Sequence, residues 1–253
     1  MIKLIMHGCN GKMGQVISQL VKEDTEAEMA AGIDIFDNKE NAYPVFTNIW
    51  DCDVEADAVI DFASAKATDT LLDYCVEKKL PVVLCTTGLS EEQLWKISEA
   101  SKEIAILKSA NMSLGVNMLL KLLQSAAKVL APAGFDMEIV EKHHKHKVDA
   151  PSGTAIAMAE SMNSALGNAY SFNFDRSRER KAREEKEIGV VAVRGGSIVG
   201  EHDVIFAGTD EVVTFSHTAY SKAIFAKGAV QAGKFLAGKP AGLYGMGDVI
   251  DGK

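Results

Sequence analysis

The chain has 253 residues, with 35 Asp and Glu against 27 Lys and Arg, for a formal net charge of −8. That balance argues against general binding to nucleic acid or an anionic membrane, so any attraction for an anion must come from a local patch. At 47% hydrophobic and 25% charged residues, the composition suits a soluble globular protein with one large core or two modest ones. The four cysteines, Cys9, Cys52, Cys75 and Cys85, are scattered without metal-ligand spacing and read as reduced thiols. The opening Met1–Gly8 stretch is apolar but too short for a signal peptide, and no run could span a bilayer. The expected compartment is the cytoplasm.

In chain order, short apolar runs at 2–6, 29–33, 58–62, 81–85 and 104–108 predict strands. They alternate with helical patterns, the rhythm of a parallel sheet covered on both faces. A helix is expected from Gln15 to about Lys22. Ser90-Glu91-Glu92-Gln93 is a capping-box pattern that opens another, running to about Ser101. A long apolar helix over 116–130 is stopped by Pro132 and Gly134. Strand-like stretches come next at 137–141, 189–194, 202–206 and 212–217, with one further clear helix over 154–166. Strands in succession suggest a second domain on a mixed or antiparallel sheet. The dense charge run 175–187 reads as a solvated loop or exposed helix. A last helix, about 220–236, precedes a Gly-rich tail. The fold class expected is α/β: an N-terminal Rossmann-type doubly wound parallel sheet with a second α+β domain built on a mixed sheet.

Gly8-Cys9-Asn10-Gly11-Lys12-Met13-Gly14 lies between the first strand and a helix start. Glycine lets a pyrophosphate approach the backbone, and the helix amides and dipole then hold it. Asp34, at the end of the second strand, stands where an acid would accept the hydroxyls of an adenosine ribose. Together these read as a dinucleotide site; the alternative is a tight turn with no ligand. Cys85-Thr86-Thr87-Gly88 and Ser109-Ala110-Asn111-Met112 also come directly after predicted parallel strands, where ligands of open α/β sheets bind.

The most informative stretch runs from Glu141 to Thr154. Three histidines and three lysines occupy positions 142–147, and Pro151-Ser152-Gly153-Thr154 then opens a helix whose free amides suit an anion. Histidine titrates near neutrality and can give or take a proton. Three readings compete here: a metal site, a solvated basic patch, and catalysis with anion binding. Crowded cations oppose a metal dication, and no metal is expected. Combined with the glycine-rich turn, the cluster favours reduction, with hydride from a cofactor and a proton from the cluster.

At these residues the sequence resembles the 4-hydroxy-tetrahydrodipicolinate (dihydrodipicolinate) reductase family. The matches are Gly8–Gly14, Thr86-Thr87-Gly88, Ala110-Asn111-Met112-Ser113 with Gly115-Val116-Asn117, and Glu141–Ala155. Further on come Arg194-Gly195-Gly196, Gly200-Glu201-His202 and His217 with Ala219, Phe225, Ala226, Gly228 and Ala229. The resemblance implies a dinucleotide-binding domain over 1–112 and a substrate-binding and tetramerisation domain over 113–224. The helix and tail at 225–253 would return to the first domain. It implies a cytoplasmic homotetramer that reduces a small dicarboxylate with NADH or NADPH in diaminopimelate and lysine biosynthesis. Cofactor contacts then map onto Gly8, Cys9, Asn10, Gly11, Lys12, Met13, Asp34, Cys85, Thr86, Thr87, Ser109, Ala110, Asn111 and Met112. The catalytic histidine maps onto His143 and the proton-donor lysine onto Lys147, with His144, Gly153 and Thr154 on the substrate.

Departures from the family pattern matter. Lys12 and Lys222 stand where arginine is usual, which removes a planar fork. Cys85 replaces a common glycine. Ile35 comes after Asp34 where users of the phosphorylated cofactor often carry arginine, so NADH is the expected preference, with NADPH still possible.

Overall fold

The computed structural model describes residues 1–177 and 180–253. In chain order the first elements are β1 (Ile2–His7), α1 (Lys12–Lys22), β2 (Ala27–Ile33), β3 (Val45–Phe46) and β4 (Ala58–Asp61). Next come α2 (Thr68–Lys78), β5 (Val82–Leu84), α3 (Glu91–Ala100), β6 (Ala105–Lys108) and α4 (Leu114–Leu130). After these lie β7 (Asp136–His143), α5 (Gly153–Ala165), β8 (Ser171–Asn173), β9 (Glu187–Arg194) and β10 (Gly200–Ala207). β11 (Val212–Ala219), α6 (Ala223–Leu236), β12 (Gly242–Tyr244) and α7 (Met246–Asp251) complete the chain. Two compact units result: Met1–Leu114 with Ala223–Lys253, and Gly115–Lys222.

The first unit is a seven-stranded sheet in the order β12-β6-β5-β4-β1-β2-β3, parallel throughout. Its strands are continuous apolar runs because both faces are covered. Leu4, Met6, Ile60 and Leu107 pack with Ile17 of α1 and Ala229 and Leu236 of α6. Ile5, Val59, Leu84 and Ile106 pack with Leu72 of α2 and Ile97 of α3. The strand order reverses at β1, which neighbours both β2 and β4, the switch point where such sheets bind ligands. The capping box at α3 forms as expected, with the Gln93 amide donating to Ser90 Oγ at 3.2 Å and the Ser90 amide to Gln93 Oε1 at 3.1 Å.

The second unit is a mixed five-stranded sheet, β11-β10-β7-β9-β8, with β7 parallel to β9 and antiparallel to β10. Its strands alternate, since helices cover only one face. Met137, Ile139, Val190, Val204 and Phe206 bury against Leu123 of α4 and Met158 and Met162 of α5. The other face carries ion pairs, such as Lys142 with Asp203, among half-exposed Val191 and Val193.

The structure departs from expectation at several places. The last helix begins at Ala223, three residues later than its apolar pattern suggested, and the Gly-rich tail holds β12 and α7. The charge run is not simply solvated. Arg176 and Arg183 turn back onto the sheet and share Glu138, at 2.6 Å and 3.0 Å. Residues 178 and 179 of that run lie outside those described. Among the described residues no helix is long and apolar enough to cross a membrane.

Candidate active site

The candidate dinucleotide turn lies at the carboxyl end of β1. Gly8 takes φ +85°, and an added Cβ would lie 2.8 Å from the Phe62 carbonyl oxygen. Gly14, in the first turn of α1, packs on the loop itself: a Cβ there would lie 2.2 Å from the Gly8 carbonyl oxygen. The turn is thereby pressed against the helix start. Gly11 is the N-cap, no side chain caps the first turn, and no acid lies in it. Its amides and dipole therefore suit the pyrophosphate of a dinucleotide.

Asp34 sits just beyond β2 and accepts the Asn10 amide at 3.0 Å and the Phe36 amide at 3.3 Å. Each carboxylate oxygen keeps a further lone pair for a ribose hydroxyl. Asn10 also donates to the Phe36 carbonyl, tying the glycine turn to the loop after Asp34. The structure thus brings Gly8–Met13 and Asp34 together. The stretches Cys85-Thr86-Thr87 and Ser109–Met112 lie just after β5 and β6, at the same carboxyl edge of the parallel sheet. Two side chains are directed elsewhere. Cys9 and Met112 belong to the core, so only their main chains are available to a ligand. Burial, then Asp34, pushes the Cys9 thiol up to about 12, and burial raises Cys85 well above its ordinary value. His7 was not anticipated: its Nδ1 pairs with Asp61 Oδ1 at 2.8 Å beneath the turn. Asp61 Oδ2 and Thr86 Oγ1 are buried without a partner among the described residues. Buried polar atoms ordinarily find partners, so these suit a bound polar group.

In the second unit, strand alternation divides the basic cluster. Glu141 and His143 face the helices, whereas Lys142 lies on the opposite face of the sheet, with Glu201 at 3.2 Å and Asp203 at 3.0 Å. Lys145 and His146 are exposed. The six residues are therefore not one patch. His144 and Lys147 lie on the turn after β7, joined by a 3.1 Å bond from the Lys147 amide to the His144 carbonyl. Lys147 Nζ rests 2.8 Å from Asp149 Oδ1 and holds that carboxyl below its usual range. Ser152 caps α5, its Oγ accepting the Ala155 amide at 3.2 Å. Among the described residues, nothing outside the local backbone lies within 4 Å of an added Cβ on Gly153, so the start of α5 is sterically uncrowded, and the Gly153 amide already supports the Asp149 carboxylate.

The second unit also holds polar residues without an assigned role. Glu141 is fully buried and accepts from His143 Nδ1 at 2.6 Å, from the Ser152 amide at 2.9 Å and from both terminal nitrogens of Arg194. Those donors hold its carboxyl below the usual range against the cost of burial. His202 Nε2 lies 3.1 Å from Ser152 Oγ, and the His202 ring stands 5.2 Å from that of His143 and 6.1 Å from that of His217. Nδ1 of His144, His202 and His217 are buried without a partner among the described residues. The available signal for Glu141 was a charged residue in phase with inward-facing Met137 and Ile139. Among the described residues no three His, Cys, Asp or Glu side chains are grouped to hold a metal.

Burial, then the neighbouring His143 and His217, pushes the His202 pKa down from 6.5 to about 4. The unfolded chain binds this proton near 6.5, while the folded protein refuses it until about 4. The stability it confers is therefore present above 6.5 and drains as pH falls through that window. Urea unfolding should show a loss of up to about 3 kcal/mol from this group on acidification. His202→Gln should flatten the slope; an unchanged slope would show that His202 is not held neutral.

The resemblance noted from the sequence extends along the whole chain. Residues 2–112 match the family described as dihydrodipicolinate reductase, N-terminus, and residues 115–250 its C-terminus. A 4-hydroxy-tetrahydrodipicolinate reductase of Caldanaerobacter subterraneus is 51% identical over 99% of this chain and 98% of that protein. One from Clostridium novyi is 49% identical over the full length of both. A dipicolinate-bound dihydrodipicolinate reductase from Paenisporosarcina sp. TG-14 shares the fold at a TM-score of 0.83, with 23% identity, covering 98% of this chain and 99% of that one. With both halves matched in order and relatives near one-half identity at full length, the chain belongs to the dihydrodipicolinate reductase family of NAD(P)H-using oxidoreductases.

Proposed function

We propose that the chain reduces 4-hydroxy-tetrahydrodipicolinate to tetrahydrodipicolinate in lysine biosynthesis, with NADH as the better cofactor and His143 and Lys147 as the proton-handling pair. The observation that carries this reading is the sterically uncrowded start of α5 at Gly153, which lies in sequence just beyond an imidazole and an ammonium on the same unit. A carboxylate of the substrate would bind the α5 amides with Gly153 and Thr154, and His144 would add a polar contact. The 4-hydroxyl must leave as water to give a conjugated, unsaturated ring, and bound nicotinamide would supply a hydride to one unsaturated carbon of that ring. The turn at Gly8–Met13 and Asp34 hold the dinucleotide, and the stretches 85–87 and 109–112 line its nicotinamide end. Negative charge that develops on the ring is neutralised by a proton from His143 or Lys147. The test is loss of nicotinamide absorbance when a coupled synthase supplies the substrate. No oxidation of either cofactor would end this reading.

The NADH preference rests on Asp34 and its immediate neighbours in the loop beyond β2. The Asp34 carboxylate would repel a 2′-phosphate, and the exposed Ile35 and Phe36 offer no compensating cation. We expect kcat/KM to favour NADH by roughly tenfold, about 1.4 kcal/mol of transition-state binding. Equal or better efficiency with NADPH would contradict it. Assembly into a homotetramer in the cytoplasm, through the open face of the second unit's sheet, is part of the same proposal. Light scattering showing a monomer would refute that part.

A further inference from the structure

Glu141 occupies a strand position whose inward neighbours, Met137 and Ile139, are fully buried in an apolar core. An aliphatic side chain would be the ordinary occupant. A buried carboxylate is tolerated only when its lone pairs are filled, and here they are. Oε1 accepts Arg194 Nη2 at 2.7 Å and the Ser152 amide at 2.9 Å. Oε2 accepts Arg194 Nη1 at 2.8 Å and His143 Nδ1 at 2.6 Å. One carboxylate therefore touches both the imidazole assigned to proton transfer and the N-cap residue of the helix assigned to the substrate carboxylate.

The chemistry of that contact has a consequence for His143. An ionised carboxylate only accepts, so the ring nitrogen facing it must carry hydrogen. Nδ1 is then the permanent donor, and Nε2 is the nitrogen left to exchange a proton. Nε2 faces Gly200, where an added Cβ would lie 3.0 Å away. The bidentate guanidinium of Arg194 fixes the plane of the Glu141 carboxylate, so its two remaining acceptor directions are fixed as well. The Ser152 amide takes one of them, which sets where α5 begins and hence where Gly153 and Thr154 lie.

We infer that Glu141 is a positioning residue that locks the tautomer of His143 and the seat of the α5 N-terminus at once, so that the proton donor and the carboxylate anchor keep one fixed separation. This rests on the reductase reading of the same site. Arg194 and Gly200 serve the same end, the first by orienting the carboxylate and the second by leaving Nε2 uncovered. A purely structural ion pair between Glu141 and Arg194 would hold the strands together whichever nitrogen of His143 carried the hydrogen.

The primary test uses the full-length protein, labelled with ¹⁵N-histidine and free of ligand. Long-range proton–nitrogen correlation should show neutral His143 with hydrogen on Nδ1. The Nε2–H tautomer in the wild type would overturn the inference without any variant. Glu141→Gln should mix the tautomers, lower kcat by at least about tenfold and weaken binding of dipicolinate by at least about fivefold, with the NADH dissociation constant within about twofold. Because that variant leaves the part-buried Arg194 guanidinium without its carboxylate, the pair Glu141→Gln with Arg194→Met serves as a second form that should fold and give the same pattern. Unchanged kcat in a folded variant would overturn the inference. So would a fall in kcat with dipicolinate affinity intact, since the two effects must appear together. Gly200→Ala should depress kcat with Nδ1 still protonated. Should the wild type fail to oxidise NADH with the coupled substrate, the reductase reading falls, while the tautomer and dipicolinate measurements still decide this one.

Discussion

Lys147→Ala and His143→Ala are each expected to lower kcat by roughly 10²–10⁴, the usual worth of a positioned general acid. The two side chains reach that role by different routes. His143 is almost buried and held by Glu141, so its truncation removes a fixed imidazole from a prepared place. Lys147 is partly exposed and paired with Asp149 at 2.8 Å, so its side chain is held in place before substrate arrives. Two further variants separate proton donation from anion binding. Thr154→Val and His144→Ala should mainly raise KM, by ~1.5–3 kcal/mol for a lost charge-assisted hydrogen bond. Steady-state kinetics with saturating NADH, and NADH titration of each variant, distinguish the two classes. Full kcat in both Lys147→Ala and His143→Ala would make water the proton source and reduce the cluster to an electrostatic anchor.

Much of this arrangement is legible in the amino-acid order alone. Continuous apolar runs announce buried parallel strands, and the box at Ser90 and Gln93 marks α3 correctly. Gly8, Gly11, Gly14 and Asp34 are visible as a dinucleotide pattern because a phosphate turn depends on local backbone geometry. What stays hidden depends on pairing between distant strands. His143 lies opposite Arg194 in the β7–β9 register, and Glu141 lies opposite His202 in the β7–β10 register. Neither partner carries a local signal of that role. The basic cluster misleads for a related reason. Counted along the sequence, Lys142 and His143 are neighbours; on a strand they face opposite sides of the sheet. The tail shows the same limit. β12 is only three residues long, and pairing with β6 rather than any propensity of its own makes it a strand.

The contrast between two glycines supplies the second large effect. At Gly14 an added Cβ would lie 2.2 Å from the Gly8 carbonyl oxygen and 2.7 Å from both Cys9 Cα and the Cys9 carbonyl oxygen. These are backbone atoms, so no side-chain rotation relieves the overlap. Gly14→Ala must push the phosphate turn off the helix start by about an ångström, and a displacement of that size costs on the order of 10²-fold where geometry is tight. The NADH dissociation constant should therefore rise by roughly a hundredfold, with the melting temperature falling by several degrees as α1 loses its fit. Gly153→Ala is the informative partner. Among the described residues nothing outside the local backbone lies within 4 Å of its added Cβ, and alanine is the better helix former, so the fold should be undisturbed. The methyl group would instead occupy the space through which a substrate carboxylate approaches the α5 amides, raising KM while NADH affinity holds. Fluorescence titration with NADH and thermal melts of both variants make the comparison. A Gly14→Ala protein that binds NADH within about threefold of wild type would mean that the turn can relax, and that its tight packing on α1 is not what holds the dinucleotide.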